Sequence, residues 1–145
     1  MFFLWILSFS AMLSAQSETL RINEFMAVNQ TTLADEDGEY SDWIEIYNPT
    51  AEAVNLFGWS LTDEMIRPQK WIFPNIILNP DEYLVVFASG KNRNTAGSEL
   101  HTNFRLCSSG EFLGLAKPYD SQFTSLFAPA YPEQYPDISY GMDSV

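Results

Sequence analysis

Cysteine and histidine each occur once in the 145 residues, and Lys plus Arg number 7 against 19 Asp plus Glu. A single Cys excludes an internal disulfide framework and every multi-cysteine zinc pattern. A single His excludes a two-histidine metal centre. The scarcity of cations, with a net charge of −12, argues against nucleic acid, whose binding rests on neutralising phosphates with Lys and Arg. No Gly-x-Ser-x-Gly elbow, phosphate loop or dinucleotide fingerprint is present, and no catalytic residue is assigned. After Gln16, no window sustains an i, i+3, i+4, i+7 apolar pattern for three turns, so long amphipathic helices are missing as well. Charge is sparse, at 18%, while aromatic residues reach 15%. That balance excludes a disordered acidic tail and leaves enough apolar mass for one packed core.

The longest apolar run is Met1–Ala15, MFFLWILSFSAMLSA. It falls short of the ~20 apolar residues a membrane span needs, and Ser8, Ser10 and Ser14 interrupt it. An apolar h-region followed by small residues is the pattern of a secretory leader. Residues 1–17 are therefore read as a signal peptide cleaved after Ala15 or Ser17, the mature chain having no transmembrane span. The protein is expected to be exported, either secreted or held at the cell surface. A lone thiol in an oxidising compartment is buried or awaits a partner, and Cys107, in the strand-like run Asn103–Cys107, is expected to be a small core residue. Asn29-Gln30-Thr31 is a glycosylation sequon.

What is present instead of helix is a series of short β-branched and aromatic runs, separated by Gly, Pro, Asn and Asp. They predict strands near 19–27, 42–47, 54–57, 59–62, 70–73, 76–78, 83–88, 103–107, 112–116 and 124–127. Many short strands at this spacing imply an all-β antiparallel sandwich or barrel. The nearly all-apolar 83–88 run, YLVVFA, belongs in the middle of a sheet rather than at an edge. Side chains alternate with period two. Leu20, Ile22, Glu24 and Met26 should therefore share one face, which sets Glu24 among apolar neighbours. In the second strand Ile44 and Ile46 oppose Trp43, Glu45 and Tyr47, and either set could face the core.

Acidic residues concentrate early. Ten lie between Ile22 and Ile66 with no Lys or Arg among them, and five of the seven cations lie between Arg67 and Arg105. The densest acidic run spans Asp35 to Asp42 around Gly38. Oxygen ligands about a turn glycine suit Ca²⁺, which makes Asp35, Asp37 and Asp42 candidate calcium ligands. The spacing is not that of an EF-hand, and a solvated acidic loop with an Asp-Gly turn reads the same residues without a metal. Calcium is thus the one cofactor in question. Trp43, Trp59, Trp71 and the late tyrosines could form a platform for carbohydrate, although a sandwich of this size needs several large rings for packing.

Seven fragments in order carry a family resemblance. They are Ile22–Ala27 (INEFMA), Asp42–Pro49 (DWIEIYNP), Leu56–Asp63 (LFGWSLTD), Lys70–Pro74 (KWIFP), Tyr83–Lys91 (YLVVFASGK), Leu100–Phe104 (LHTNF) and Ser109–Leu115 (SGEFLGL). Together they resemble the bacterial, secreted type of lamin tail domain from about Leu20 to Ala116. The resemblance implies an immunoglobulin-like antiparallel β-sandwich, and an interaction or structural module without catalytic residues. It also implies a place within larger secreted or surface-attached proteins. No heptads accompany it, so filament and nuclear-envelope roles do not transfer. Asp81 stands where the turn before Tyr83 would more usually have Gly.

The domain plan that follows is a signal peptide over 1–17, a lamin-tail-like domain over 18–117, and an extended Pro- and Tyr-containing segment over 118–145 leading towards a further domain. The expected partner is a protein or a component of the cell envelope, with a carbohydrate ligand or calcium-stabilised adhesion as alternatives. Loops 29–41 and 90–98, opposite in charge, are the expected contact surfaces, and head-to-tail association between copies is one use of that opposition.

Overall fold

The computed structural model describes residues 19–119 and 121–141. The expected leader at 1–17 lies outside them. Eleven strands and no helix occur among these residues, so no described helix is long and apolar enough to cross a membrane. In chain order the strands are β1 (Arg21–Met26), β2 (Asp42–Tyr47), β3 (Val54–Asn55), β4 (Ser60–Thr62), β5 (Trp71–Ile72), β6 (Ile77–Leu78), β7 (Tyr83–Ala88), β8 (Leu100–His101), β9 (Leu113–Ala116), β10 (Phe123–Phe127) and β11 (Tyr140–Gly141). One sheet runs β11-β1-β2-β7-β8 and a second β10-β9-β4-β5, while β3 and β6 form a short ribbon. All pairings are antiparallel except β7 with β8. The all-β, immunoglobulin-like sandwich is therefore the fold, and the YLVVFA strand β7 lies inside its sheet, between β2 and β8.

Both large sheets contribute to one core. Ile22, Phe25, Ile44, Ile46 and Val86 from the first meet Leu61, Trp71, Leu113 and Leu115 from the second. Ile44 and Ile46 are thus the inward pair of β2. Trp43 joins Met26 and Phe87 in a smaller cluster on the sheet's other face. The long connection after β1 reaches this cluster, where the Thr32 hydroxyl approaches Met26 Sδ at 3.2 Å.

The parity expected for β1 fails at one point. The β1–β2 register shifts between Ile22 and Glu24, a β-bulge at Asn23. Because a bulge inserts one unpaired residue, alternation resets there. Leu20 and Ile22 face the main core, and so does Phe25. Met26 is turned into the smaller cluster. Glu24 is only half-buried, and its Oε2 accepts a hydrogen bond from the Ser139 hydroxyl at 2.7 Å.

Three further expectations change. Residues 103–107 form no strand. Thr102 Oγ1 bonds locally, donating to the Phe104 carbonyl at 2.7 Å and accepting its N–H at 3.4 Å. Such side-chain bonding turns the chain out of the ladder, leaving only an isolated bridge between Arg105 and Ser89. Cys107 is consequently exposed rather than in the core, with Sγ 3.0 Å from Ser109 Oγ. Finally, the segment from Pro118 onward, expected as an extended stretch outside the 18–117 domain, packs into that domain in its described residues. It supplies β10 beside β9, β11 at the edge of β1, and Tyr131, which is buried in the main core. Asp81 has φ +60°, the left-handed conformation that favours glycine at that turn. The aspartate is held by the Tyr47 hydroxyl, which donates to its Oδ1 at 2.8 Å.

Candidate functional site

The acidic run forms a closed turn. Asp35 Oδ1 accepts the N–H groups of Asp37 at 3.0 Å and Glu39 at 2.9 Å, an Asx arrangement that curls the backbone round Gly38, whose φ is +78°. This places the carboxylates of Asp35, Asp37 and Glu39 side by side. Glu39 therefore completes the group, in the role expected of Asp42. At its centre lies the Lys91 ammonium, 2.6 Å from Asp35, 2.6 Å from Asp37 and 2.8 Å from Glu39. An ammonium has three donors, and each is directed at one carboxylate. Arg93 adds contacts to Glu36 at 2.9 Å and Asp37 at 2.8 Å. The two oppositely charged loops are clasped to each other within one chain, which is where the charge opposition between them is satisfied.

Electrostatics follow from this geometry. Burial works to raise the Asp35 carboxyl, yet Lys91 and the turn's N–H groups outweigh it and hold the carboxyl below the ordinary aspartate range. The Asp35 side chain has no accessible surface. Burial opposes the Lys91 charge, and the three surrounding carboxylates reverse that, raising its pKa.

Asp42 behaves in the opposite way. It sits at the start of β2, where burial pushes its carboxyl up to about 6 despite backbone N–H bonds from Asn29 and Leu106 and the nearby Arg105 charge. An open groove of about 540 Å³ runs beside the clasp, lined by residues 38–42 and by Ala88, Ser89 and Arg105. Arg105 Nε donates to the Ser89 carbonyl at 2.9 Å, which fixes the guanidinium along one wall.

The contrast between Asp35 and Asp42 sets a pH dependence. Asp42 has a raised folded-state pKa, so the native chain holds this proton more tightly than the unfolded chain. The Asp42 share of stability must then fall as pH rises from about 4 through about 6. The carboxyls of Asp35 and Asp37 are lowered instead, and their stabilisation is lost as pH falls below the usual aspartate range. The buried His101 acts in the opposite sense to Asp42, because the unfolded chain binds a proton there below about pH 6.5 while the folded ring stays neutral. The Asp42 share is therefore read from thermal unfolding of the unaltered chain against a variant. Solvent still reaches Asp42, so its share is about 1–2 kcal/mol. Between about pH 4 and 6 the stability of Asp42→Asn relative to the unaltered chain should rise by that amount; a difference independent of pH would refute the assignment.

The one histidine is in the wall behind the clasp. His101 is fully buried and stacks on Phe87 with ring centroids 5.3 Å apart. Its Nδ1 is 2.9 Å from Ser89 Oγ, which also accepts the Lys91 N–H at 3.2 Å. Burial, reinforced by the Lys91 charge, lowers its pKa and keeps the ring neutral. Both side chains of this Ser–His contact are buried, and the serine oxygen ties the ring to the loop backbone at Lys91.

The other residues singled out in the sequence fall elsewhere. Trp43, Trp59 and Trp71 are all buried, so these three rings pack rather than form an exposed platform. Asn29 of the sequon is buried too, its amide donating to the carbonyls of Leu33 at 2.6 Å and Ser41 at 2.8 Å. Lys91, Glu39 and His101 were not legible as parts of one site. Glu39 was visible only as one member of the Asp35–Asp42 run, Lys91 only as part of the cationic 90–98 loop, and His101 only as the one histidine of the chain.

A sandwich of this topology, with its polar groups tied to loop geometry, defines an immunoglobulin-like module. The chain matches the family described as Lamin Tail Domain over residues 14–127 and belongs to it. That family is one of non-enzymatic immunoglobulin-like domains. No curated protein matches the chain.

Proposed function

We propose that this chain is an exported, non-catalytic interaction module that presents a preorganised polar loop face to a protein or cell-envelope partner. The observation that carries the reading is the clasp itself. Lys91 and Arg93 lock the 35–39 turn against the 90–93 turn beside a groove walled by Asp42 and Arg105. Loops held rigid before binding lose less entropy on association, and loops set on a stable sandwich are the usual carriers of recognition. The apolar run at Met1–Ala15 supports export, and the family's association with larger proteins supports a place beside further domains.

Carbohydrate recognition has less support, since the three central tryptophans are buried. Calcium-stabilised adhesion has less support as well, because an ammonium already lies among Asp35, Asp37 and Glu39.

The test is retention of solubilised envelope components on the immobilised protein, compared with a Tyr40→Ala/Arg105→Glu variant whose fold is checked by circular dichroism. A defined component retained by the former and lost by the latter is the expected result. Equal retention by both would remove the groove from the interface. Turnover of a substrate, abolished by a single point change, would overturn the non-catalytic reading.

A further inference from the structure

The Asp35 cluster is explained by Lys91, but a neighbouring group is not. Glu36 lies in the acidic turn, Glu99 just before β8, and His101 within β8. One carboxylate oxygen from each glutamate and one imidazole nitrogen lie within 4.8 Å of one another. His101 Nε2 is buried and has no hydrogen-bond partner, an uncommon condition for a buried polar atom. Nδ1 is committed to Ser89, so Nε2 is the nitrogen left to meet the two carboxylates. We propose that Glu36, Glu99 and His101 form a binding site for a divalent transition metal of the Zn²⁺ class.

The donor set suits such an ion. One neutral imidazole and two carboxylates are ordinary Zn²⁺ ligands, with a fourth position left for water or a partner's side chain. Bonds of about 2.0–2.1 Å place tetrahedral ligands roughly 3.3 Å apart, so a group whose ligand atoms already lie within 4.8 Å of one another closes by rotation of the two glutamate side chains. The surroundings already orient them. Glu99 Oε2 accepts the Glu36 N–H at 2.5 Å, and Glu36 Oε1 is held by Arg93 at 2.9 Å, leaving its second oxygen for the ion. Metal-bound histidines donate their other ring N–H to an oxygen. Ser89 Oγ, at 2.9 Å from Nδ1, is in place to accept it. Binding there would join the 35–39 turn to β8, adding a metal link to the two loops that Lys91 and Arg93 already connect.

Zn²⁺ titration of the purified chain by calorimetry tests this. It should be paired with Co²⁺ absorption and the ¹⁵N resonances of the imidazole, which are unambiguous because the chain has one histidine. One equivalent of Zn²⁺ should bind and shift Nε2, and Co²⁺ should give the intense visible bands of a four-coordinate site. Glu36→Gln and Glu99→Gln should each weaken binding by at least tenfold, whereas Asp37→Asn should change it less than threefold. His101→Gln removes a buried ring, so the two glutamate variants carry the test if it fails to fold. No binding at millimolar Zn²⁺, binding that leaves the imidazole resonances unmoved, or equal loss in Asp37→Asn would each overturn the proposal.

Discussion

Tyr131→Ala should destabilise the domain by about 3–5 kcal/mol, the range for removing a large buried aromatic side chain. Tyr131 is 2% exposed, and its ring lies 4.6 Å from that of Phe25, at the centre of the main core. Its hydroxyl accepts the Cys107 N–H at 3.0 Å and lies within bonding distance of the Cys107 carbonyl at 3.0 Å and Glu111 Oε1 at 3.2 Å. Truncation to Ala therefore opens a cavity and breaks a partly buried polar network together. Tyr131→Phe keeps the ring and should cost only about 1–1.5 kcal/mol, the usual worth of a hydrogen bond.

The backbone is committed to the same contact. The Tyr131 N–H donates to the Glu111 carbonyl at 2.9 Å, and a Cβ on Gly110, which has φ +98°, would run into the Tyr131 carbonyl. Ending the chain after Phe127 deletes Tyr131 and also strips β11 from the edge of β1. That truncation should be less stable than Tyr131→Ala. Urea unfolding of the three variants measures this, and a loss below about 1 kcal/mol for Tyr131→Ala would show that the segment after β10 is not part of the core.

Lys91→Met should destabilise by about 2–3 kcal/mol, because it leaves the inaccessible Asp35 carboxylate without its cation. Two N–H donors from the turn remain on Asp35, which keeps the effect below that of an isolated buried charge. The loss should be larger than for Arg93→Met, whose guanidinium is 40% exposed. A surface ion pair contributes at most about 1 kcal/mol. Removing the charge as well, in Asp35→Asn/Lys91→Met, should recover more than half of the loss. That recovery in a double-mutant cycle separates charge pairing from packing of the lysine stem. Additive losses in the cycle would mean that the clasp owes its stability to something other than the Asp35–Lys91 pair.

Much of the fold was legible from local pattern. Alternating β-branched runs and turn residues located most strands, β7 at its full length, and the ordered motifs identified the family. The failures share a cause. The bulge at Asn23 is one residue whose position only pairing with β2 defines, and it reversed the face expected for Glu24. The run at 103–107 has strand composition, but Thr102 bonds its own neighbours, so Cys107 is exposed. β8 and β11 are two residues each, too short to show any periodicity.

The site divides along the same line. Sequence alone determined an acidic turn around Gly38, a cationic turn after β7, and a composition poor in histidine, cysteine and phosphate-binding cations, because these depend on residue identity and near spacing. Tertiary structure decided that the two turns clasp each other, that Glu39 stands with Asp35 and Asp37 while Asp42 lines a groove, and that the one histidine lies buried behind them. Those partners are separated by more than fifty residues along the chain. They meet because pairing of β2 with β7, and then of β7 with β8, brings their connecting loops to one end of the sheet.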